Sequence, residues 1–419
     1  MAKIFVSIAS YRDPELLPTL ESLFTNAKYP DNLTVCIAWQ HADEDTWDTL
    51  EQYKEDSRIK IVDIPYQEAK GVCYARHKIQ EQYAGEEYHL QLDSHHRFSE
   101  NWDITLIDWL NYLRCKGINK PILTSYLPGY DPEQDPKGRV EEVWSLNIDR
   151  FMPAGVPFLR PYVINDWKNH IEPIPTRFVS GHFIFTIGNF ISDVPYDPNL
   201  YFHGEESSLA GRAYTNGYDL FAPHRPIIWH EYTRKGKTKH WDDSKEWSEQ
   251  DKNSYARFRK IFDMDEVPCS PCQRKALGIY GLGTVRTLHD FELYTGLKFK
   301  TRQIHQETLN NELPPIKGDY ESGLATKHKV CIDLFKERTP YSDYDNVVIA
   351  LLDENDKDLY RQDMRGSEFY ALMNSDPEDK FLHIWREYEN VQRPTKWRVW
   401  PHSASEGWCE RVENLIGYE

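Results

Sequence analysis

The sequence predicts an α/β domain built on a mainly parallel sheet, followed by a small all-β, sandwich-like domain. Strand and helix patterns alternate four times within about the first hundred residues, which is typical of βαβ units. Beyond residue 327, short apolar segments are separated by polar turns, which favours a β-sandwich. We therefore predict an α/β domain over 1–312, a linker over 313–327 and a β domain over 328–419.

The elements follow from the spacing of apolar residues within each segment. Short runs of apolar residues predict strands, whereas apolar residues three or four positions apart predict helices. In the first domain the predicted strands are 3–9, 33–40, 59–65, 88–92, 122–126 and 178–187, and the predicted helices are 14–26, 46–55, 71–83 and 101–113. In the second domain the predicted strands are 329–335, 346–352, 381–386 and 397–400. Residues 144–167, rich in aromatics and prolines, form either a binding surface or irregular packing over the sheet.

Composition indicates a globular protein that does not bind nucleic acid. Hydrophobic residues make up 40% and aromatic residues 14% of the 419 positions, which is enough for packed cores. The formal net charge of −17 opposes binding to a phosphate backbone, because such binding needs a basic face. The N-terminus leads directly into a strand pattern and no apolar run is long enough to span a bilayer, so we predict no signal peptide, no transmembrane segment and a cytoplasmic location.

The seven cysteines indicate reduced thiols. Their number is odd and their spacing irregular, which is typical of a cytosolic protein without disulfide bonds. Cys269 and Cys272 have the spacing of half a zinc ribbon, but the sequence contains no second pair. A loop with two free thiols is therefore the favoured interpretation.

The most informative stretch joins a buried strand to a polar turn, from Tyr88 to Phe98. Asp93 and His95 lie two positions apart directly after the strand, so both side chains can project to one side of a turn. Carboxylate oxygen and imidazole nitrogen together suit a divalent metal such as Mn²⁺ or Mg²⁺. An isolated match of this kind is more often a surface turn capped by its Asp, and the surrounding sequence decides between the two interpretations.

Two further stretches carry residue types that a metal site needs. His230 ends a short apolar run, as a metal ligand delivered by a strand would, although a lone histidine there is more often structural. Glu205 and Glu206 open a predicted helix, where the helix dipole alone explains two carboxylates. In parallel sheets ligands bind at the carboxyl ends of strands, and the segment 10–13, Gln40 and the Asp93 turn all lie at such ends.

Several segments closely resemble the polypeptide hydroxyproline N-acetylglucosaminyltransferases, glycosyltransferase family 60 of the GT-A fold. The segments are 7–13 (Ser-Ile-Ala-Ser-Tyr-Arg-Asp), 71–76 (Gly-Val-Cys-Tyr-Ala-Arg), 92–103 (Leu-Asp-Ser-His-His-Arg-Phe-Ser-Glu-Asn-Trp-Asp), 202–206 (Phe-His-Gly-Glu-Glu) and 280–286 (Tyr-Gly-Leu-Gly-Thr-Val-Arg). The mucin-type polypeptide N-acetylgalactosaminyltransferases resemble the chain more distantly, through their Trp-Gly-Gly-Glu-Asn motif. Phe202, His203 and Glu206 depart from that motif, which speaks against N-acetylgalactosamine as the donor sugar.

The resemblance implies a role for each matched residue. The implied metal ligands are Asp93, His95 and His230. The implied catalytic residues, facing the donor sugar and the acceptor hydroxyl, are Glu205, Glu206 and Arg212. The residues expected to hold the nucleotide sugar are Ser10, Tyr11, Arg12, Gln40, Arg76, Ser94, Tyr232, Arg234 and Lys235.

The activity implied is a metal-dependent, retaining transfer of a sugar, expected to be N-acetylglucosamine, from a UDP-sugar to a hydroxyl of a protein or glycan. No dedicated nucleophile is evident, so we favour attack on the same face of the sugar as the departing phosphate. Two alternatives stay open, namely a non-catalytic carbohydrate- or nucleotide-sugar-binding protein with a degenerate site, and a nucleotide-sugar hydrolase.

Tryptophans are frequent in the predicted β domain, where two roles are open. Such residues can stack on sugar rings, but in a small β domain they more often fill the core, and we favour the core. The four residues concerned are Trp385, Trp397, Trp400 and Trp408.

Overall fold

The protein is described by a computed structural model over residues 2–152, 154–233, 237–265, 276–390 and 392–416. The chain divides into two compact units. The larger unit comprises Met1–Arg302 and Glu307–Gly318, and the smaller one comprises Gln303–Gln306 and Asp319–Glu419. Among the described residues, no helix combines the length and apolar character needed to cross a bilayer.

The larger unit is organised around an eight-stranded sheet with the order β3-β2-β1-β4-β10-β6-β11-β9. Its strands are β1 (Ile4–Tyr11), β2 (Leu33–His41), β3 (Ile59–Pro65), β4 (Tyr88–Asp93), β6 (Pro121–Thr124), β9 (Ile174–Pro175), β10 (Phe183–Ile187) and β11 (Asp219–Ala222). Strands β3, β2, β1 and β4 are parallel neighbours, whereas β10 runs antiparallel between β4 and β6. This architecture confirms the predicted α/β class with a mainly parallel sheet.

Helices cover both faces of the sheet because its central strands are apolar on both sides. The helices of the larger unit are α1 (Leu16–Asn26), α2 (Val72–Gln80), α3 (Trp102–Cys115), α4 (Phe190–Asp193), α5 (Glu205–Thr215), α6 (His240–Asp243), α7 (Trp247–Ile261), α8 (Leu288–Thr295) and α9 (Gln306–Leu309, which crosses the division between the units). Helices α1 and α3 pack on one face of β1 and β4, and α2 packs on the other. Leu90 and Leu92 of β4 are completely buried in this core.

A second, two-stranded sheet extends the carboxyl end of β4. Strand β5 (His96–Phe98) follows β4 after a short turn and pairs antiparallel with β12 (Ile228–His230). In this register His230 lies opposite His96. The pairing therefore brings a residue far along the chain beside the turn that follows β4.

One local prediction in the larger unit was wrong, and a second segment is more ordered than expected. Residues 46–55 form only a single helical turn, Glu51–Tyr53, instead of a helix. Residues 144–167, for which a binding surface and irregular packing were both open, contain an antiparallel hairpin of β7 (Trp144–Phe151) and β8 (Pro157–Val163) with a register shift between Ile148 and Arg150. The hairpin was missed because its prolines, Pro157 and Pro161, normally disfavour strands and are tolerated at sheet edges.

The smaller unit consists mainly of antiparallel strands, as the sequence predicts. Its strands are β14 (Gln303–His305), β15 (Leu324–Phe335), β16 (Tyr344–Leu352), β17 (Asp358–Arg365), β18 (Phe381–Asn390), β19 (Lys396–Ser403), β20 (Gly407–Trp408) and β21 (Val412–Leu415), with β13 (Leu297–Lys298) preceding them in the larger unit. Strand β15 pairs with β18, and β16 pairs with β17 and β19. One core cluster combines residues of both ladders and of helix α10 (Gly366–Met373), so the unit is sandwich-like.

The tryptophans of the smaller unit divide between core and surface. Trp397 is buried in the core cluster, as favoured from the sequence. Trp385 and Trp408 are 56% and 48% exposed, and the ring of Trp400 lies 4.3 Å from that of Trp408. A role in packing the core is therefore confirmed for Trp397 alone.

A buried carboxylate joins the first turn of α3 to the chain that follows α1. Asp103 Oδ1 accepts the backbone N–H of Lys28 at 2.8 Å, and Oδ2 accepts that of Tyr29 at 2.9 Å. Trp102 Nε1 donates to the carbonyl of Leu23 at 3.0 Å. These contacts hold the start of α3 against the end of α1. Because α3 follows β4 and β5 directly in the chain, they also anchor the segment that leaves the end of β4.

We predict that Asp103→Ala lowers the free energy of unfolding by about 2–3 kcal/mol, because it leaves two backbone N–H groups without their charged acceptor. Chemical denaturation followed by tryptophan fluorescence measures the change. The matched control is Asp108→Ala on the exposed side of the same helix, which should change stability by less than about 0.5 kcal/mol. Equal losses in the two variants would contradict the structural role of Asp103.

Candidate metal and nucleotide-sugar site

Three predicted metal ligands meet at the carboxyl end of β4. Asp93 Oδ2 lies 3.6 Å from His230 Nε2 and 3.9 Å from His95 Nε2. One ligand atom from each residue lies within 4.8 Å of the other two. Asp93 ends β4, His95 lies in the following turn, and the pairing of β5 with β12 supplies His230.

The orientation of His95 is set by a buried carboxylate. Asp13, whose side chain is fully buried, accepts a 2.7 Å hydrogen bond at Oδ2 from His95 Nδ1 and another of 2.7 Å from Ser94 Oγ. A carboxylate can only accept, so Nδ1 carries the imidazole proton and Nε2 presents its lone pair toward Asp93. A carboxylate behind a ligating histidine is the usual support of a metal site.

His230 is a buried imidazole whose two ring nitrogens have no hydrogen-bond partner within the described part of the chain. Its ring lies 4.7 Å from that of His95 and 4.1 Å from that of His182, on which it stacks. Burial lowers the pKa of His230 well below its usual value, which keeps the imidazole neutral. A buried nitrogen without a partner is costly unless a ligand completes it, so the residues fit a divalent metal.

Arg76 connects Asp93 to the start of α5. Its Nη2 donates to Asp93 Oδ1 at 2.5 Å, and its Nη1 donates to Glu205 and to Tyr196 Oη, the latter at 3.0 Å. Burial raises the pKa of Asp93, but Arg76 and the neighbouring imidazoles outweigh it and hold that pKa well below its usual range. Asp93 is therefore a carboxylate at neutral pH, ready to bind a cation.

The approach of Arg76 to Glu205 requires a glycine beside it. A Cβ atom on Gly181 would lie 2.9 Å from Glu205 Oε1 and 3.0 Å from Arg76 Nη1. The turn before β10 thus closes directly against the ion pair. It also supplies His182, whose Nε2 accepts the backbone N–H of Leu127 at 3.1 Å.

The two adjacent glutamates at the start of α5 have different surroundings. Glu205 accepts from Arg76, from Tyr196 Oη at 2.7 Å and from Cys73 Sγ at 3.4 Å. Glu206 accepts from Tyr126 Oη at 2.6 Å and from the backbone N–H of Gly181 at 2.7 Å. Burial raises the pKa of Glu206 to about 7, so near neutral pH this carboxyl group is present in both forms.

A cleft lies over the carboxyl ends of β1, β2 and β4, as expected for a parallel sheet. Its lining includes Tyr11, Gln40, Ser94 and the segment from Lys239 to Trp241. Gln40 Oε1 in this lining, and Ser10 Oγ on the residue before Tyr11, are buried and lack a hydrogen-bond partner among the described residues.

Arg12 occupies an unusual position at the end of β1. Its backbone has φ 45°, in the left-handed region that a non-glycine residue adopts only at a cost. Its guanidinium pairs with Asp45 at 2.6 Å and with Asp243 at 3.0 Å. Tyr11 Oη donates to the same Asp243 at 2.7 Å. The predicted nucleotide residues are therefore tied to acidic partners that lie far apart in sequence.

Other predicted site residues are placed differently or fall outside the description. Arg212 Nη2 donates to the carbonyls of Pro195 at 2.6 Å and Ile279 at 3.3 Å, contacts that anchor α5 rather than reach the metal ligands. Tyr232 packs edge-on against His230, 4.4 Å between ring centres, and donates to the carbonyl of Leu127 at 2.7 Å. The predicted residues Arg234 and Lys235, and likewise Cys269 and Cys272, lie outside the described residues.

Several residues in and around the site were not predicted from the sequence. They are Asp13, Tyr126, His182, Tyr196, His240, Trp241 and Asp243. Asp13 belongs to the segment 10–13 that the sequence places at the end of the first strand, although without a role of its own, and His182 lies within a predicted strand, so both had a usable signal. The others depend on contacts between distant segments.

Three solved structures that resemble the chain are distant in sequence. GalNAc-T7, solved with UDP, GalNAc and Mn²⁺, is 14% identical, with a TM-score of 0.48 over 69% of this chain and 56% of its own. TarS of S. aureus, solved with UDP-GlcNAc, is 14% identical, with a TM-score of 0.36 over 58% of this chain and 61% of its own.

A third resemblance is to the mannosyltransferase PcManGT of Pyrobaculum calidifontis, solved with GDP-Man and Mn²⁺. It is 12% identical, with a TM-score of 0.37 over 56% of this chain and 58% of its own. The chain thus spans less than two thirds of the length of each of these three proteins. No curated protein matches the sequence.

The sequence itself matches a family model. The model described as "Glycosyltransferase (GlcNAc)" matches residues 3–57 and 48–301, a span that includes the three metal-ligand candidates and the nucleotide cleft. Because the match covers well over half of the chain, the protein belongs to the Glycosyltransferase (GlcNAc) family.

Proposed function

We propose that the protein is a metal-dependent, retaining glycosyltransferase of the polypeptide hydroxyproline N-acetylglucosaminyltransferase type. It transfers N-acetylglucosamine from UDP-N-acetylglucosamine to a hydroxyl group of a protein or glycan. The family description supports the sugar. The observation that carries the proposal is the meeting of Asp93, His95 and His230 at the carboxyl end of β4.

The divalent metal, Mn²⁺ or Mg²⁺, would be held by Asp93, His95 and His230. When bound, it supplies positive charge to the diphosphate of the donor and so stabilises UDP as a leaving group. Neighbouring residues keep each candidate ligand in the protonation state that metal binding needs. Arg76 keeps Asp93 ionised, Asp13 fixes the tautomer of His95, and burial keeps His230 neutral.

The nucleotide would occupy the cleft over β1, β2 and β4. Ser10 Oγ and Gln40 Oε1 are acceptors that no described residue uses, so they are suited to the N–H and hydroxyl groups of a uridine. Ser94 lies between two metal ligands and lines the same cleft, where it is placed to approach the ribose or the sugar. Tyr11 and Arg12 border this part of the site.

Retention of configuration is proposed because both glutamates are already engaged. Glu205 accepts from Arg76 and Tyr196, and Glu206 accepts from Tyr126 and a backbone N–H. We therefore assign attack by the acceptor hydroxyl on the face from which the phosphate departs. The new glycosidic bond forms as the bond from the anomeric carbon to phosphate oxygen breaks, and the departing phosphate oxygen takes the hydroxyl proton. The products are the glycoside and UDP.

The proposal is tested by Asp93→Asn in a transfer assay with labelled UDP-N-acetylglucosamine, Mn²⁺, and hydroxyproline peptides and glycans as acceptors. We expect the rate of transfer to fall at least about 100-fold, because even residues behind a metal ligand contribute 10- to 100-fold. The stabilisation of the protein by Mn²⁺ with UDP should also disappear from thermal unfolding.

Asp63→Asn, at an exposed carboxylate on β3 at the edge of the same sheet, is the matched control and should retain wild-type transfer. Wild-type transfer by the Asp93 variant would refute the metal assignment. Metal-dependent release of free N-acetylglucosamine by the wild-type protein, without any labelled acceptor, would identify a hydrolase instead.

Asp13→Asn tests the support of His95. We expect the affinity for Mn²⁺ to fall by about 10- to 100-fold, because Asn loses the charge that fixes the imidazole and strengthens its Nε2 lone pair. Isothermal titration of Mn²⁺ measures the affinity, and circular dichroism checks the fold. Unchanged Mn²⁺ affinity in a folded variant would show that Asp13 has no part in the site.

The pKa of Glu206 makes stability depend on pH. Because burial raises this pKa from 4.5 to about 7, the folded protein holds a proton between these values that the unfolded chain has lost. The free energy of unfolding should therefore lose a contribution as pH rises from 4.5 to about 7.

Glu206→Gln cannot titrate at this position. The free energy of unfolding of the variant minus that of the wild type should therefore increase from pH 4.5 to about 7 and stay constant above that range. Urea denaturation at several pH values measures the difference. The exposed Glu249→Gln should show no such trend. A difference between Glu206→Gln and wild type that does not vary with pH would contradict the raised pKa.

A further inference from the structure

The outer face of β15 and β18 carries a group of metal-binding side chains remote in sequence from the nucleotide cleft. Cys331 and Asp333 are two positions apart on β15, so both project from the same face. His383 lies directly opposite Asp333 on β18. The alternating residues Val330, Ile332 and Leu334 are buried in the core, which leaves the three polar side chains on the solvent side.

The donor atoms of these residues converge. Cys331 Sγ lies 3.3 Å from Asp333 Oδ1, and His383 Nδ1 lies 2.6 Å from the same oxygen. One thiol, one carboxylate and one imidazole atom all lie within 4.8 Å of one another. Apart from the site at Asp93, this is the only such group identified among the described residues.

A fourth residue orients the imidazole. His383 Nε2 lies 3.2 Å from Asp379 Oδ2, and the other oxygen of Asp379 accepts the backbone N–H of Phe381 at 2.9 Å. At 2.6 Å from a carboxylate oxygen, Nδ1 carries a proton that it donates to Asp333. A metal bound at Nδ1 would replace that proton while Nε2 donates to Asp379. With an ion bound, Asp379 would support the imidazole of His383 as Asp13 supports that of His95 in the larger unit.

We propose that Cys331, Asp333 and His383 bind a zinc ion, with Asp379 as the positioning residue. A mixed sulfur, nitrogen and oxygen donor set favours a borderline-soft ion such as Zn²⁺ over the hard ions Mn²⁺ and Mg²⁺. Three protein ligands leave one position of a tetrahedral ion open to water. The ion would join β18, at the edge of its sheet, to β15. The proposal does not rest on the proposed transferase activity.

A proton is the competing occupant of this group. A charged imidazole between Asp333 and Asp379, with the thiol of Cys331 donating to Asp333 at 3.3 Å, would satisfy both carboxylates without any metal and would leave the thiol protonated. Zinc binding requires the thiolate and a free Nδ1, so the thiol proton and any proton on Nδ1 pass to solvent. Dependence of binding on Cys331 therefore separates the two arrangements.

The experiment uses Co²⁺ as a spectroscopic probe on the full-length, reduced protein. A cobalt–thiolate bond gives a near-ultraviolet charge-transfer band that the ligands Asp93, His95 and His230 cannot produce, because they contain no sulfur. We expect this band in the wild-type protein and its displacement by Zn²⁺. Cys331→Ser should abolish the band while circular dichroism shows an intact fold.

Two matched variants complete the test. The double variant Cys269→Ser with Cys272→Ser should keep the band, which excludes the other closely spaced thiols as its source. Asp379→Asn should keep the band but weaken Zn²⁺ affinity by about 10- to 100-fold. A band that persists in Cys331→Ser, or Zn²⁺ affinity equal in wild type and Cys331→Ser, would overturn the proposal.

Discussion

The ion pair between Arg76 and Asp93 is the interaction on which the site depends. Burying a carboxylate at the end of the central strand is costly unless a cation compensates it. Arg76 provides that charge from α2, and its other donors bind Glu205 and Tyr196. One guanidinium therefore links the end of β4 to the start of α5 and fixes the positions of two acidic residues at once.

The same network sets the electrostatics of the cleft. Asp93 and Glu205 share a single guanidinium, so the group retains an excess negative charge that favours a divalent cation. Once such an ion is bound, the local charge reverses and becomes suited to a diphosphate. Neutral imidazoles contribute ligand atoms without adding positive charge that would repel the metal, which is what burial achieves for His230.

The sequence predicted the fold class, and marked Asp93 and His95 as candidate metal ligands, because both rest on local patterns. The strand pattern locates the carboxyl end of β4, and the parallel register of Ala9 with Asp93 places the residues after β1 beside it. His230 was predicted as the third ligand only through the family resemblance, because the pairing of β5 with β12 joins segments more than a hundred residues apart. Asp243 accepts hydrogen bonds from Tyr11 and Arg12, and these contacts likewise join segments that are far apart in sequence.

The false helix at 46–55 has a physical cause in tertiary hydrogen bonds. Asp45 binds Arg12, and Asp48 accepts from Trp39 Nε1 at 2.8 Å. These side chains hold the segment in an irregular conformation that its apolar spacing alone does not reveal. The partners in these hydrogen bonds, Arg12 after β1 and Trp39 in β2, lie elsewhere in the chain. The sequence of the segment alone therefore does not reveal them.

Some of the unsatisfied buried polar atoms of the larger unit belong to residues at the carboxyl ends of its strands. Ser10 Oγ, Gln40 Oε1 and both ring nitrogens of His230 are buried without partners in the described structure, and each such atom costs about 1–3 kcal/mol. Folded proteins retain costs of this kind mainly where function requires them. A bound metal and nucleotide would supply partners for these atoms, and relieving a cost that folding alone leaves in place would then contribute to the free energy of binding.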